Sequence, residues 1–246
     1  MIKYSQFIKQ LNTYFMETAV TGITEVKKTS KNYHETMEQS IGKMKLTFDN
    51  ASLPQIFAVM LTVGYTAEKI AALRDELTQL EVMYQFQIKE YADESEAQQH
   101  FKNKRDEVST TLMRHRNLAR ILFKTDPHAR VALQLDADVP KAFNDWMQFA
   151  LSFYAQFAAK PELQTKVEKI GIDSMVVANQ RQAIADVQSL KDSLRNETSE
   201  AQIATDTRDT AFDLLYPKYT DYIKYAKVLL PDNQLLEALG VTVKSK

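Results

Sequence analysis

The sequence predicts an all-α protein, an elongated antiparallel helical bundle made of two duplicated units joined by short helices. Three observations predict it. Only 5 glycines and 6 prolines occur in 246 residues, too few for the many turns of a sheet protein. Apolar residues recur at helical spacing along the long segments. Proline and glycine recur together at a constant offset, which indicates an internal repeat.

Composition narrows the class of protein. Hydrophobic residues make up 44% and charged residues 26% of the chain, which is typical of a folded globular protein. The net charge of -1 gives no general attraction to nucleic acid or to anionic lipid. The absence of cysteine excludes disulfides and thiolate metal ligands. The N-terminal residues lack the apolar run of a secretory signal, so the expected location is the cytoplasm.

Four short segments carry the repeat. Proline starts a helix at no cost because its missing N–H would have no partner there, and glycine ends a helix in the left-handed conformation. In one of the four, Asp136 takes the place of the glycine, and Asp138 and Pro140 are expected to cap and open the next helix. The four segments are 54–64, 161–171, 231–240 and 127–136.

The positions of these prolines and glycines also predict the caps of the longer helices. Two of the segments align at an offset of 107 residues, from Pro54 to Pro161. In both, a polar residue two positions after the glycine is placed to cap a new helix. The predicted structural caps are Gly64, Thr66, Gly171, Asp173 and Gly240.

Three segments are expected along the chain. They are an N-terminal helical arm over 1–31, a first repeat unit over 32–138 and a second over 139–246, and the two units can form one continuous bundle. Each unit is expected to contain a first helix, a short helix, an outgoing helix, a returning helix and a closing short helix. The expected helices are 32–49, 54–63, 66–92, 95–124 and 127–135, then 139–159, 161–170, 173–196, 199–229 and 232–239.

Within each unit, the outgoing and returning helices are expected to form a hairpin with a polar tip. The tips are placed at 95–98 and 199–202, which share the sequence Ser-Glu-Ala-Gln. Pro217 is expected to kink or break the last long helix. The seam of the first outgoing helix is predicted by apolar residues at helical spacing, namely Ile70, Leu73, Leu77, Leu80, Tyr84 and Ile88.

Chemical motifs are missing from the sequence. It has no glycine-rich phosphate loop, no Gly-x-Ser-x-Gly elbow and no His-Glu-x-x-His pair. A di-iron bundle would need glutamate followed three residues later by histidine, twice, and neither pair occurs. The expectation is therefore a protein that is not an enzyme and has no cofactor or metal. Solvated or capping roles are favoured for the four histidines, His34, His100, His115 and His128.

Two helix faces are candidate contact surfaces for a partner. The first is a basic stripe, for which binding of an acidic partner competes with a solvated face. The second interleaves tyrosine with lysine, a pattern that suits a partner or a bundle seam. The candidate residues are Lys102, Arg105, Arg116 and Arg120 on the first face, and Tyr216, Tyr219, Tyr222 and Lys224 on the second.

The densest aromatic cluster is expected to lie in the core, with a protein-binding surface or a membrane-inserting surface as the alternatives. Three- and four-residue spacing places most of its members on one helix face. The apolar run that contains them is shorter than the roughly 20 residues needed to span a bilayer. The members are Trp146, Phe149, Phe153, Tyr154 and Phe157.

The C-terminal pattern resembles uncharacterised bacterial helical-bundle proteins of Bacteroidota type. The residues that carry the resemblance are Arg208-Asp209, Ala226-Lys227-Val228-Leu229, Asp232 and the run Leu235 to Val241. The resemblance implies a helical bundle and supplies no catalytic residues.

A non-enzymatic interaction or scaffold protein is therefore the leading expectation, with a protein partner or self-association. Nucleic acid and membrane are disfavoured as partners. One alternative is a switching, membrane-active protein similar to α-helical pore formers, which would need an apolar hairpin to release. Another is an apolar ligand pocket between the two halves.

Overall fold

The computed structural model describes residues 35–242, which form helices and contain no strand. The chain divides into two compact units, residues 1–42 and 43–246. The predicted N-terminal arm, 1–31, lies outside the described residues, as does His34. The all-α prediction is confirmed. In chain order, the helices are α1 Met37–Asn50, α2 Pro54–Leu61, α3 Ala67–Leu122, α4 Pro127–Ala132, α5 Phe143–Ala159, α6 Pro161–Glu168, α7 Ser174–Leu229 and α8 Asn233–Ala238.

The two predicted hairpins are wrong. Helices α3 and α7 each run for 56 residues without interruption, so the expected tips at 95–98 and 199–202 lie inside helices. No glycine or proline occurs between residues 65 and 126, and the glutamate, glutamine and alanine of the expected tip are good helix formers. Pro217 lies inside α7 and does not break it.

The long helices pack antiparallel against each other. Lys218 Nζ lies 2.7 Å from Glu76, Arg208 donates to Gln87 at 2.8 Å, and Thr198 donates to Glu94 at 2.8 Å. Residue numbers fall along α7 as they rise along α3, so the start of each helix lies near the end of the other. At a rise of 1.5 Å per residue, each helix is about 84 Å long.

The buried residues between these helices change from apolar to polar along the pair. The predicted residues from Ile70 to Leu80 are buried, but Tyr84 is only half-buried and Ile88 is 46% exposed. Beyond Leu80 the buried positions are Met83, Gln87 and Glu90 instead. Buried positions of α3 thus continue at spacings of three and four residues as far as Glu90, as in a coiled coil, and the next buried residue of this helix is Val108. The last two of the regular series, Gln87 and Glu90, are polar.

Each end of the long pair is built from both predicted units. At the α1 end, which contains the start of α3 and the end of α7, Thr47 of α1 donates to Leu239 O after α8 at 2.7 Å. Arg74 of α3 donates to Phe48 O at 2.8 Å. The two expected units therefore interleave within residues 43–246 and are not separate bodies.

The opposite end, called the α5 end, contains the end of α3 and the start of α7. Its core joins residues of α3, α5, α6 and α7 with the residues that follow α4. The predicted aromatic cluster lies in this core, since every member is at most 8% exposed. Its assignment to the core is confirmed.

The predicted caps are confirmed. Gly64, Gly171 and Gly240 have φ angles of 83°, 80° and 76°, in the left-handed region where other residues are strained. After Gly171, Ile172 N donates back to Val167 O at 3.1 Å, which closes the helix end. The side chains of Thr66 and Asp173 accept from the third backbone N–H beyond them.

The cap expected at Asp136 is wrong. Gln134 takes the left-handed conformation at the end of α4, with φ 49°, and Leu135 N donates back to Arg130 O at 3.0 Å. The Asp136 carboxylate instead pairs with the guanidinium of Arg130. Helix α5 begins later than expected, at Phe143, so neither Asp138 nor Pro140 opens it.

The helix order repeats along the described chain. Helices α2 and α6 have 8 residues each, and α3 and α7 have 56 each. Their first residues are separated by the same 107 positions, from Pro54 to Pro161 and from Ala67 to Ser174. This recurrence is what a duplication predicts, and a common origin of the two halves stays a prediction.

Candidate functional site

Arg116, a member of the predicted basic stripe, is buried. Only 1% of its surface is exposed, and its guanidinium donates to Gln134 O and Ala137 O, both at 2.8 Å. Burial lowers the pKa of Arg116, and the nearby charge of Arg120 adds to the effect. The prediction that Arg116 contacts a partner is wrong, because its Nη2 donates to carbonyls of the loop 133–142, and its Nε is buried with no hydrogen-bond partner among the described residues.

Two more arginines of the stripe bind the same loop. Arg120 Nε donates to Leu135 O at 2.8 Å. Arg105 donates to Lys141 O at 2.8 Å, and its guanidinium lies 5.4 Å from the ring centre of Trp146. Among the four stripe residues only Lys102 is exposed. The stripe is therefore mainly a clamp on the loop between α4 and α5.

Tyr222, on the second predicted face, is also buried. Its ring meets Tyr65 edge to face at 4.8 Å and Phe48 at 6.3 Å. Burial, and to a lesser degree Tyr65, raises the pKa of Tyr222 to about 12. Its hydroxyl is buried and has no hydrogen-bond partner within residues 35–242. The prediction that Tyr222 contacts a partner is therefore wrong, because its ring belongs to the core of the α1 end.

The other predicted residues of this face remain candidate contacts. Tyr216 and Tyr219 are half-buried, with ring centres 5.8 Å apart. Lys224 is exposed and pairs with Asp221 at 2.8 Å. Their role toward a partner stays a prediction.

His115 differs from its expected role. It is 3% exposed, and its Nδ1 is hydrogen-bonded to the Tyr154 hydroxyl at 2.9 Å. Burial, with a contribution from the charge of Arg114, lowers the pKa of His115. By contrast, His128 and His100 are exposed, and His100 lies 3.8 Å from Glu96. The arginines on either side of His115 face other directions on the helix. Charged neighbours in the sequence therefore did not show that the His115 ring is buried.

A carboxylate cluster lies at the middle of the long pair. Oxygens of Glu90, Glu197 and Glu200 lie within 4.8 Å of one another. Burial and then the charge of Glu200 raise the pKa of Glu197. Lys89 Nζ lies 3.1 Å from Glu90 and also pairs with Asp93. Sequence spacing could not reveal this cluster, because it joins two helices that are distant along the chain.

The most exposed large apolar side chains lie near the ends of the long pair. Val228 is 83% exposed, Val131 77% and Ile121 76%. Ile121 and Val228 occupy the last turns of α3 and α7, at positions 107 residues apart. Because the helices are antiparallel, one lies at each end of the pair. We call Ile121 and Val228 the end residues; their apolar side chains can bury surface only against something outside the described fold.

Comparison with known proteins gives no relative. No family model, curated protein or solved structure matches this chain. Each helix within residues 35–242 lacks the length or the apolar character that crossing a membrane requires.

Proposed function

We propose that this chain is a non-enzymatic scaffold that binds protein partners at both ends of the α3–α7 pair. The observation that carries the proposal is the exposure of the end residues Ile121 and Val228, at 76% and 83%. The two end residues are both apolar and occupy positions 107 residues apart at two similar ends, which favours two contacts of similar chemistry.

The paired helices supply the spacing between those contacts. Each helix is continuous over 56 residues. Hydrogen bonds join the two helices between Glu76 and Glu94 of α3, and Lys191 Nζ of α7 lies 5.1 Å from the ring centre of Phe101 further along. The separation of the end residues is therefore about 80 Å, close to the length of one helix. A scaffold needs such a fixed separation.

The arginines at the α5 end also support this reading. Arg116 and Arg120 are bound to backbone carbonyls, so their donors are not arranged around a concave reaction centre. These two arginines instead hold the loop 133–142 in place and so help to shape the α5 end.

Capture from a lysate of the source cell, quantified by mass spectrometry, tests the proposal. We expect Val228→Asp and Ile121→Asp each to remove a subset of captured proteins, and the double variant to remove both subsets, because a charge at a buried contact is costly. Ile203→Asp is the matched control, since Ile203 is exposed by 55% near the middle of α7.

Loss of capture that is equal for Ile203→Asp, or capture that survives both end substitutions, would contradict the proposal. Light scattering of the same variants separates self-association from partner binding. A mass that falls to that of one chain only in the end variants would identify a second copy as the partner.

A further inference from the structure

A cleft of about 380 Å³ opens where α5 ends, α6 begins and α7 starts. Ala158, Pro161 and Ala178 give it exposed apolar walls, together with the buried Phe157 and Val177, and the exposed Arg181 lines the same cleft. Its volume falls in the range of small-molecule sites, about 300–1,000 Å³. The cleft lies at the α5 end, and neither end residue lines it.

The polar groups of the cleft differ in whether they are already paired. Gln164 Nε2 donates to Ile172 O at 3.1 Å and to Glu168 at 3.2 Å. Thr165 Oγ1 donates to Pro161 O at 3.0 Å. Arg181, in contrast, has no hydrogen bond or ion pair with any residue in the described part of the chain. The cleft therefore combines apolar walls with one unpaired cation.

The other end of the molecule shows how the equivalent arginine is used. Arg74 lies 107 positions before Arg181. Its guanidinium donates to Phe48 O at 2.8 Å and to Asp49 O and Ser52 Oγ, both at 2.9 Å. The donors of Arg74 are thus hydrogen-bonded to residues at the end of α1 and just after it.

Differences between α1 and α5 explain why Arg181 is left unpaired. Helix α1 ends at Asn50, whereas α5 continues to Ala159, the position equivalent to Ser52. The carbonyl of Gln156, equivalent to that of Asp49, accepts from Lys160 N at 3.0 Å within the helix end. Ala159 also has no hydroxyl to offer. Two of the three acceptors that hold Arg74, those of Asp49 and Ser52, are therefore occupied or missing around Arg181.

We propose that this cleft binds a small amphiphile with a carboxylate head, whose chain lies against the exposed Ala158 and Pro161 and whose carboxylate pairs with Arg181. A planar guanidinium offers two parallel N–H donors that match the two oxygens of a carboxylate. Burial of the chain on the apolar walls supplies the remaining affinity.

Calorimetric titration of the full chain with decanoate tests the proposal, with decanol and decyltrimethylammonium as probes of the head group. We expect saturable binding of one decanoate, and at least tenfold weaker binding of the neutral and cationic probes. Arg181→Gln should weaken decanoate binding about tenfold or more, which corresponds to about 1.4 kcal/mol. Arg195→Gln is the matched control, because Arg195 is another exposed arginine of α7, outside the cleft.

Ala178→Trp gives a second variant that keeps the proposal falsifiable. Ala178 lines the cleft and is exposed, so the indole should fill the space, abolish binding and leave the helical circular dichroism unchanged. Equal affinity for decanoate and decanol, an unchanged affinity in Arg181→Gln, or binding that survives Ala178→Trp would overturn the proposal. Failure of this test would leave the partner contacts at Ile121 and Val228 unaffected.

Discussion

Two buried tyrosines occupy matching cores at opposite ends of the long pair, but only one has a polar partner. Tyr154 is hydrogen-bonded to His115 at 2.9 Å, whereas the Tyr222 hydroxyl has no partner in the part of the chain that the structure describes. A buried polar group without a partner costs about 1–3 kcal/mol, which removal of the group can recover. The two hydroxyls therefore affect stability in opposite directions.

Substitution of each tyrosine by phenylalanine tests this difference. Tyr154→Phe should lower the free energy of unfolding by about 1–3 kcal/mol, because it leaves the buried His115 without its partner. Tyr222→Phe should leave it unchanged or raise it. Urea denaturation of the full chain measures both, and an equal loss in the two variants would contradict the assignment.

His115 should make stability depend on pH. Its pKa is lowered in the folded state, mainly by burial, so below the unfolded pKa of about 6.5 the unfolded chain binds a proton that the folded chain resists. The contribution is fully present above that pH and is lost as pH falls through the folded pKa. The slope cannot exceed about 1.4 kcal/mol per pH unit for one group.

Urea denaturation at pH 7.5 and pH 5.5 measures this contribution. His115→Gln removes the titrating group, so the fall in unfolding free energy between the two pH values should be smaller than in the unchanged chain. His100→Gln is the control, because His100 is exposed and should leave the fall as it was. An identical fall in all three proteins would exclude His115 as its source.

At the scale of the element, the glycines that end helices set where each segment turns. Gly171 has φ 80° and open space where a side chain would start, so Gly171→Ala meets no clash and only the backbone cost of about 1–2 kcal/mol. Gly42 lies inside α1, also with open space, and Gly42→Ala should stabilise by about 0.5–1 kcal/mol.

Chemical denaturation of both variants should therefore give midpoints on opposite sides of the parent protein. A gain for Gly171→Ala would show that this turn does not need the left-handed conformation.

These turns were predictable from the sequence because proline and glycine act locally. The end of α4 was not, since Gln134 adopts a conformation that usually favours glycine. The roles of Arg116 and Arg120 were also beyond sequence reasoning, because their acceptors are loop carbonyls that only the tertiary fold brings near. Spacing placed these arginines on one face but could not show what that face contacts.

At the scale of the whole second unit, residues 43–246, the long pair holds the two similar ends apart. The recurrence of Ser-Glu-Ala-Gln at 95–98 and 199–202 predicts a hairpin tip in each half. The seam instead continues toward these positions through the buried polar Gln87 and Glu90. The absence of glycine and proline between residues 65 and 126 was the stronger signal, since a hairpin turn between helices commonly needs one of them.

The antiparallel pairing also explains why the sequence predicts a repeat but does not predict how the two halves pack. A constant offset gives the order of equivalent parts, but it does not say whether each half folds on itself or pairs with the other. Bonds such as Lys218 to Glu76 and Thr205 to Tyr91, at 2.7 and 3.2 Å, join the two halves directly.

Continuity of α3 can be measured directly by the distance between two spin labels. The chain has no cysteine, so cysteines placed at the exposed positions Asp75 and Thr110 would be the only labelling sites. One uninterrupted helix places their backbones about 53 Å apart, and pulsed electron resonance should give a single distance near 50 Å. A hairpin turning near residue 94 would bring the two positions onto neighbouring helices with axes about 10 Å apart, and a distance below about 25 Å would contradict the long antiparallel pair.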